Sequence, residues 1–372
     1  MTEDGEGAGR ARNVSFTTAA ERHRRGGLAR RIHEVASSDI RRRLLAARDA
    51  VARHVLDGDV PLAQARGGGP RYATVGIGAD PAECQPAGHY VLRVESNDDD
   101  FLKRVYRNVG PAHDGFGVRL VPRSAPLSQN WLTNLWKTRR PPKAGKPIAM
   151  GCAIAGETDH HYFGSLGCFV TSKSDDGQCF ALTAEHVFHG PAGSGQGHFV
   201  VSPARAVCGS GMLAARFGTT VHSHPRDHDS CLISVDQNYH AWAKNTLEYG
   251  KRERWLSPTP DLPVLRMKVG KVGAASGYRP GIVQQIGVSM KTVYDDGVEV
   301  VMTDLFEVQG LFWRGFSRPG DSGAVVFETS SRRPLGMVVM GSGARTLCVE
   351  LPRTLDHVGV VIAPGMRRSF AS

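Results

Sequence analysis

Short apolar runs separated by turn-forming residues fill the chain from Ile148 onward, and this pattern constrains the fold more than any other feature. Ten of these runs are GSLGCFVTS, QCFALTAEHV, GHFVVSPA, DSCLISVD, VLRMKVGKV, GIVQQIGVSM, VEVVMTDLFEV, GAVVFET, PLGMVVMGSG and TLCVELP. Each has the length of a β-strand, and the residues between the runs are rich in Gly, Asp, Asn and Pro, which form turns. Ten or more such strands suffice for a pair of small antiparallel barrels, so the pattern predicts a mainly β protein.

The chain before Ile148 has a different pattern. Strand-like YATVGIG and HYVLRVES are followed by a helical segment over Asp98–Asn108 and by strand-like GFGVRLVPRS. Strand, strand, helix and strand in this order predict a small α/β module. Further upstream, from Ala20 to Leu56, apolar residues recur mostly at intervals of three to five, which is typical of an amphipathic helix.

The predicted helix is basic, with Arg41, Arg42, Arg43 and Arg48 available to its polar side. Two interpretations are open: a solvated helix packed against the body of the protein, or a docking element for an acidic partner. The first ~20 residues are polar and predicted to be disordered, because they offer little apolar surface to bury.

These patterns together predict the organisation of the chain. The polar stretch WAKNTLEYGKRERW suggests a helix in the segment that joins the two barrels. The expected units are residues 1–66 (disordered start and basic helix), 67–138 (α/β module), 139–147 (linker), 148–240 (first barrel), 241–262 (inter-barrel linker), 263–364 (second barrel) and 365–372 (tail).

Charge and hydropathy argue against several classes of protein. The formal net charge of +10 would suit an anionic partner, but it is distributed along the chain, which does not favour nucleic-acid binding. No signal peptide is recognisable, and no apolar run approaches the roughly 18–20 residues that cross a membrane. We therefore expect an intracellular protein, in the cytoplasm or the nucleus.

The seven cysteines show no CxxC pair, and most lie inside apolar runs. An odd number in such surroundings indicates small buried side chains in a reducing compartment, without a disulfide framework. The histidine-rich stretch HSHPRDH at 222–228 has no zinc spacing and reads as a loop before a strand. We expect neither a metal nor a cofactor.

The stretch GDSG places Ser322 before a run of strand-forming residues. A serine hydroxyl becomes a nucleophile only when a base takes its proton, and donors must await the oxyanion that forms. Gly320 allows the backbone to turn its N–H inward, so the N–H groups of Gly320 and Ser322 would form a two-donor oxyanion pocket.

A base and an acid for this serine are present upstream. His186 ends the strand-like run FALTA, and an imidazole there would point away from solvent. Asp229 precedes the apolar run CLISV and would hold the imidazole in one orientation. Asp227 and Asp236 are alternatives for the acid, because a slip of one residue changes the face of a strand.

LTAEHV, DSCLI and RPGDSGA resemble the histidine, aspartate and serine motifs of chymotrypsin-like serine proteases (PA clan), in that family's order. PLGMVVMGSGA at 334–344 resembles the strand and glycine-lined wall of their specificity pocket. GSLGCFVTS, KVGKVGAASGYRPGIV and FSRPGDSGAVVFE are similar to an intracellular, disulfide-free branch that includes the narrow-leaf-type trypsin-like proteins of bacteria, fungi and plants.

The resemblance implies a double six-stranded antiparallel β-barrel, preceded by a small α/β module. It also implies a serine endopeptidase that forms an acyl-enzyme through His186, Asp229 and Ser322, acts on proteins or peptides and needs no cofactor. The implied substrate pocket consists of Phe316, Ser317, Val339, Met340, Gly341 and Gly343. Because no acid lies at its base, we expect an apolar or modest-sized side chain before the scissile bond.

The chain also departs from the family pattern. Val187 replaces a disulfide cysteine, and Val339 stands where many relatives have a serine that supports the acid. No activating cleavage site is apparent, so no new N-terminus is available to pair with Asp321. The group that holds the loop carrying the N–H groups of Gly320 and Ser322 (the oxyanion loop) is Arg318 or another residue, and the sequence does not decide between them. Two alternatives remain: a protease-fold scaffold with negligible turnover that binds a protein partner, and an enzyme silent until its N-terminal region meets a partner.

Overall fold

The structure, a computed structural model, describes fifteen parts of the chain: residues 38–57, 71–79, 90–113, 116–122, 127–128, 148–158, 163–174, 178–188, 197–204, 214–223, 228–249, 252–293, 299–311, 315–342 and 345–364. The predicted disordered start, the first part of the predicted basic helix and the linker 139–147 lie outside these parts.

Within these parts the chain forms three α-helices: α1 (Ser38–Ala52), α2 (Asp99–Val109) and α3 (Leu351–Val358). The strands are β1 (Arg71–Ala79), β2 (Tyr90–Ser96), β3 (Ala112–His113), β4 (Phe116–Pro122), β5 (Leu127–Ser128), β6 (Ala153–Gly156), β7 (Gly164–Ser165), β8 (Cys168–Ser172), β9 (Cys179–Thr183), β10 (Phe199–Ser202), β11 (Ala215–Ser223), β12 (Cys231–Val235), β13 (Thr246–Tyr249), β14 (Arg252–Trp255), β15 (Lys268–Gly273), β16 (Gly277–Val293), β17 (Glu299–Gly310), β18 (Val325–Glu328), β19 (Pro334–Ser342), β20 (Arg345–Glu350) and β21 (Val360–Ile362). A π-helical turn (Arg53–Asp57) and 3₁₀ turns (Glu185–Val187, Gln237–Trp242) complete the elements used below.

The second half of the chain forms a closed six-stranded barrel. Its strands follow the order β15-β18-β19-β20-β17-β16, and pairing between β15 and β16 closes the ring. All of these pairs are antiparallel. Closure gives each strand of the ring two neighbours, which is how small antiparallel proteins limit edge-to-edge aggregation.

The preceding part of the chain, together with β21, forms the curled sheet of the first barrel, with strand order β21-β8-β9-β12-β11-β10-β6-β7, and the six-stranded ring is the second barrel. Eight strands lie here rather than the expected six, because the two-residue strand β7 pairs with β6 and β21 returns after α3 to pair with β8. The prediction of a mainly β, chymotrypsin-like double β-barrel fold is confirmed.

The predicted α/β elements extend the second barrel. β1 pairs with β16, β2 with β1, and β4 lies parallel to β2 with α2 between them in the chain. α1 packs beside them: its Leu44 and Val51 are fully buried in one apolar cluster with Ile77 of β1 and Val308 of β17. The helix therefore packs against the body, as the first of the two interpretations requires.

One apolar cluster joins the two curled sheets. It contains Phe169 and Ile233 from the first sheet and Met337 and Val339 from the second, all fully buried. Burying a side chain of this size contributes roughly 1.5–3 kcal/mol. This shared core fixes the sheets against each other, so side chains carried by different sheets can meet with defined geometry.

The helix suggested by WAKNTLEYGKRERW is wrong. The 3₁₀ turn ends at Trp242, and the rest of the stretch forms the hairpin β13–β14, in which Thr246 pairs with Trp255 and Tyr249 with Arg252. Thr, Tyr and Trp favour strands, and Leu247 on β13 is buried. Among the helices that the structure describes, none is long and apolar enough to cross a membrane.

Candidate active site

His186 lies at the end of β9, in the 3₁₀ turn Glu185–Val187. Its neighbours Ala184 and Val187 are buried in the core that joins the sheets, so the turn is anchored on both sides of the histidine. His186 itself is 9% exposed. The imidazole is therefore held at the inner end of a buried strand, as the sequence predicts.

Asp229 lies two residues before β12, which pairs with β9 so that Cys231 is opposite Thr183. This register brings the acid beside the histidine. Asp229 Oδ2 is 2.6 Å from His186 Nδ1, and Asp229 Oδ1 accepts the backbone N–H of His186 at 3.0 Å. Both carboxylate oxygens thus fix the same residue.

The backbone of Asp229 has φ +43°, in the left-handed region that non-glycine residues seldom adopt. Such strain is characteristic of functional sites, where the surrounding structure enforces it. Of the rival acids, Asp236 is exposed before the 3₁₀ turn Gln237–Trp242, and Asp227 lies outside the described residues.

Ser322 comes from the other barrel, in the turn before β18, and it is completely buried. Its Oγ is 2.6 Å from His186 Nε2. The turn is fastened to the first sheet, because the backbone N–H of Ser165 donates to the Ser322 carbonyl at 2.7 Å. The structure therefore brings together Asp229, His186 and Ser322 in one chain of contacts.

The backbone around Ser322 is shaped by two glycines with positive φ, Gly320 (+93°) and Gly323 (+88°). A Cβ at Gly320 would collide with the ring of Phe163. The hydroxyl of Ser165 donates to the Gly320 carbonyl at 2.9 Å, which fixes the direction of that peptide. Among the described residues, none accepts a hydrogen bond from the N–H of Gly320 or of Ser322.

Asp321 points away from the serine into the second barrel, where Lys271 meets it. The Lys271 Nζ to Asp321 Oδ2 distance is 2.6 Å, and both side chains are completely buried. Arg318, the candidate partner named from sequence, supplies its backbone N–H to the same carboxylate at 2.9 Å. Sequence reasoning missed Lys271; a lysine inside the apolar strand run VLRMKVGKV was the available signal.

Burial lowers the pKa of Lys271 below that of an ordinary lysine, and the carboxylate of Asp321 opposes this effect. Close to Asp229, burial raises the pKa of the Cys231 thiol, and the charges of Glu185 and Asp229 raise it further. Cys231 therefore stays a protonated, unreactive side chain at neutral pH.

The residues expected to form the substrate pocket are largely buried. Phe316 lies in the apolar cluster of the second barrel, and Ser317 Oγ is 2.6 Å from Thr346 Oγ1. Val339 and Met340 belong to the core between the sheets. Gly341 is opposite Leu127 in the pairing of β19 with β5, whereas Gly343 lies outside the described residues.

No protein family model matches the chain, and no curated protein matches it closely enough to be reported as similar. The solved structures that it resembles are chymotrypsin-like serine proteases. Thermobifida fusca Protease A is 17% identical, with a TM-score of 0.44, over 59% of this chain and 99% of that one. Nocardiopsis protease is 19% identical (TM-score 0.44; 58% and 99% covered), and Cellulomonas bogoriensis chymotrypsin is 16% identical (TM-score 0.42; 58% and 97% covered).

Proposed function

We propose that the chain is a serine endopeptidase that hydrolyses peptide bonds through an acyl-enzyme. One observation carries the proposal: the imidazole of His186 lies between Asp229 Oδ2 and Ser322 Oγ, at 2.6 Å from each. An imidazole bridging a carboxylate and a hydroxyl can take the hydroxyl proton and later return it to a leaving group. The serine and the other two residues come from different barrels, so the arrangement is a product of the tertiary fold.

The reaction follows from these contacts. Ser322 Oγ attacks the carbonyl carbon of the scissile peptide while His186 Nε2 takes the hydroxyl proton. Asp229 accepts the Nδ1–H of the ring and stabilises the imidazolium that forms. The negative charge on the tetrahedral oxygen is received by the N–H groups of Gly320 and Ser322.

Collapse of this intermediate breaks the C–N bond, and His186 gives its proton to the leaving amine. A water then enters, loses a proton to His186 and attacks the acyl carbonyl, and Ser322 leaves as the restored hydroxyl. The chain's own residues supply every proton transfer, and no cofactor is required in this scheme.

The side chain preceding the scissile bond would lie against Met340, Gly341 and the hydroxyl pair of Ser317 and Thr346. These groups carry no charge, so a pocket of this composition selects an apolar or modest-sized side chain over lysine or arginine. Hydrolysis of a peptide library, read by mass spectrometry, would reveal this preference; cleavage confined to Lys and Arg would refute it.

The role of the acid is tested by Asp229→Asn. Because Asp229 holds the histidine through both carboxylate oxygens, we expect kcat to fall by about 10⁴-fold. Asp236→Asn is the matched control, since Asp236 is exposed, and it should leave the rate unchanged. Steady-state hydrolysis of a peptide substrate by both variants checks this, with circular dichroism to show that each is folded. Equal rates in the two variants would exclude Asp229 as the acid.

A further inference from the structure

Asp321 sets the direction of the oxyanion donors, because the peptide that it shares with Ser322 carries the Ser322 N–H. A carboxylate that is completely buried is unfavourable unless it is paired and hydrogen-bonded. Asp321 Oδ1 accepts the backbone N–H groups of Ala275 (3.0 Å) and Ser276 (3.1 Å), and Oδ2 accepts the hydroxyl of Ser276 at 2.6 Å. These contacts fix the side chain but leave its charge to be neutralised.

Lys271 supplies that charge from β15. Its Nζ donates to Ser276 Oγ at 2.6 Å and to the Gly277 carbonyl at 3.5 Å, in addition to the 2.6 Å contact with Asp321. An ammonium has three N–H donors, so these three acceptors satisfy it completely. The site is also closed sterically, because a Cβ on Gly273 would collide with the Asp321 carboxylate and lie 2.9 Å from Lys271 Nζ.

We propose that Lys271 is a positioning residue: an internal cation that holds Asp321, and with it the oxyanion loop, in the form needed for catalysis. The chain then needs no activating cleavage to supply a cation as a new N-terminus. This inference rests on the proposed peptidase function, since only a reaction that forms an oxyanion needs the loop in this form.

The inference predicts an alkaline limit to activity. Burial lowers the pKa of Lys271 from the ordinary 10.5, and the charge of Arg279 lowers it further. Asp321 and Cys348 act in the opposite direction and raise it. As the pH rises through this lowered value, the ammonium loses its proton, the buried carboxylate loses its partner, and activity should fall reversibly. The unfolded chain keeps the proton to higher pH, so this group gives no matching loss of fold stability.

Lys271→Met tests the inference, and Lys268→Met on the same strand is the matched control because Lys268 is exposed. We expect Lys271→Met to lower kcat by about 10²-fold or more with a smaller change in KM, as for loss of an oxyanion donor. Lys268→Met should match the wild type. Equal kcat in both variants would overturn the inference while leaving the peptidase function intact.

A second arm does not depend on the folding of Lys271→Met. Lys271→Arg keeps a cation that stays protonated, so its kcat against pH should lack the alkaline limit that the wild type shows. An unchanged limit in Lys271→Arg, or none in the wild type, would overturn the inference. A wild type that hydrolyses no peptide at any pH would instead refute the proposed function itself.

A separate observation concerns the edge of β19 next to the nucleophile. β20 pairs with β19 along Gly336–Ser342, and β18 pairs on the opposite edge only as far as Met337. Met340 and Gly341 are already paired to β20, so their pairing with β5 must use the edge that β18 leaves. The Ser322 turn contacts this edge too, because the Gly323 N–H donates to the Val338 carbonyl at 2.9 Å.

β5 therefore lies along the edge that leads to the nucleophile. It runs antiparallel to β19, with Leu127 opposite Gly341 and Ser128 opposite Met340, so the chain proceeds towards Val338 and the Ser322 turn. An extended peptide that adds a strand to a free edge would take the same place. Ser322 is also completely buried and Met340 is 3% exposed, although a nucleophile for polypeptides must be reached by its substrate.

From this pairing we infer that β5 is an internal competitor of the substrate, which must leave the β19 edge before a polypeptide can bind. The site is then assembled but covered by its own chain. This inference also rests on the proposed function.

The test removes the backbone hydrogen-bond donors of β5. Leu127→Pro/Ser128→Pro removes both N–H groups, whereas the control Leu127→Ala/Ser128→Ala keeps them. If β5 occupies the edge for nine-tenths of the time, its release raises kcat/KM for an extended peptide about tenfold. A synthetic peptide of residues 123–132 should then inhibit the proline variant competitively, and a scrambled peptide should not.

Equal kcat/KM in the proline and alanine variants would overturn this inference. If the wild type and both variants neither cleave peptides nor react with a small fluorophosphonate, the proposed function fails as well, and that result is distinct from equal but measurable rates.

Discussion

Gly323 has no room for a side chain. Its φ is +88°, and a Cβ there would collide with Thr183 Oγ1 and the Ser165 carbonyl oxygen of the other sheet. The residue thus fixes both the bend that presents Ser322 and the distance between the two sheets beside His186 and Ser322.

Gly323→Ala should lower the free energy of unfolding by more than the roughly 1–3 kcal/mol expected from backbone strain alone, and it should displace Ser322. Gly359→Ala is the control, because Gly359 has φ +71° with open space around it. Urea denaturation of both variants measures the difference. If the two glycines prove equally tolerant, the close contact beside Ser322 is not as described.

The sequence could reveal some site residues but not others. Ser322 and His186 stand in short motifs whose local geometry suggests their roles. The choice of Asp229 over Asp236 needed the register between β12 and β9, which a single sequence does not determine. Lys271 and Asp321 are far apart in the chain. A lysine inside an apolar run was a local signal, but its pairing with Asp321 depends on the contact between β15 and β18, which a single sequence does not determine.

At the scale of elements, α1 is part of the core rather than an appendage. Leu44 and Val51 are completely buried in the cluster that includes β1 and β17. Leu44→Ala should therefore destabilise the protein by about 2–5 kcal/mol, the cost of a cavity in a packed core.

Thermal or denaturant unfolding measures this cost. Tyr106→Ala on α2 serves as the comparison, because Tyr106 is 49% exposed and its loss should cost much less. A Leu44→Ala variant as stable as the wild type would show that α1 does not belong to the core. Truncation of residues 1–66 would remove this packing, so it is an unsuitable test of whether the N-terminal region silences the enzyme.

The hairpin β13–β14 shows where the residue pattern predicts the wrong element, since a helix was expected here. Polar residues alternate with Leu247 and Tyr249, and over so short a stretch strand and helix periods are hard to distinguish. By contrast, the repeated runs after Ile148 predicted the β character of both barrels, because many short strands leave few alternatives. β7 lies inside the run GSLGCFVTS, which reads as a single strand, and β21 pairs with the distant β8, a pairing for which the sequence has no local signal.

At the scale of the whole molecule, stability should not depend on disulfides among the described cysteines. Cys152, Cys168, Cys179, Cys231 and Cys348 are free and buried. Burial raises the pKa of Cys168 to about 12 and of Cys179 to about 11, so little thiolate is present at neutral pH. Alkylation of Cys168 should be about 10²-fold slower or more in the native protein than after unfolding.

Peptide mapping after iodoacetamide treatment measures these rates one cysteine at a time. A reducing agent added to the same samples should leave the midpoint of the protein's unfolding transition unchanged. Rapid native alkylation of Cys168, or a midpoint that falls on reduction, would contradict the packing of the first sheet.

The central claim is that the fold assembles a nucleophile from two barrels. Labelling of the purified protein by a small fluorophosphonate tests it most directly, with Ser322→Ala, His186→Ala and Asp236→Asn compared under the same conditions. We expect the wild type and Asp236→Asn to be labelled at Ser322, and the first two variants to be unlabelled because the nucleophile or its base is missing. An unlabelled wild type, or labelling that survives His186→Ala at the same rate, would contradict the claim.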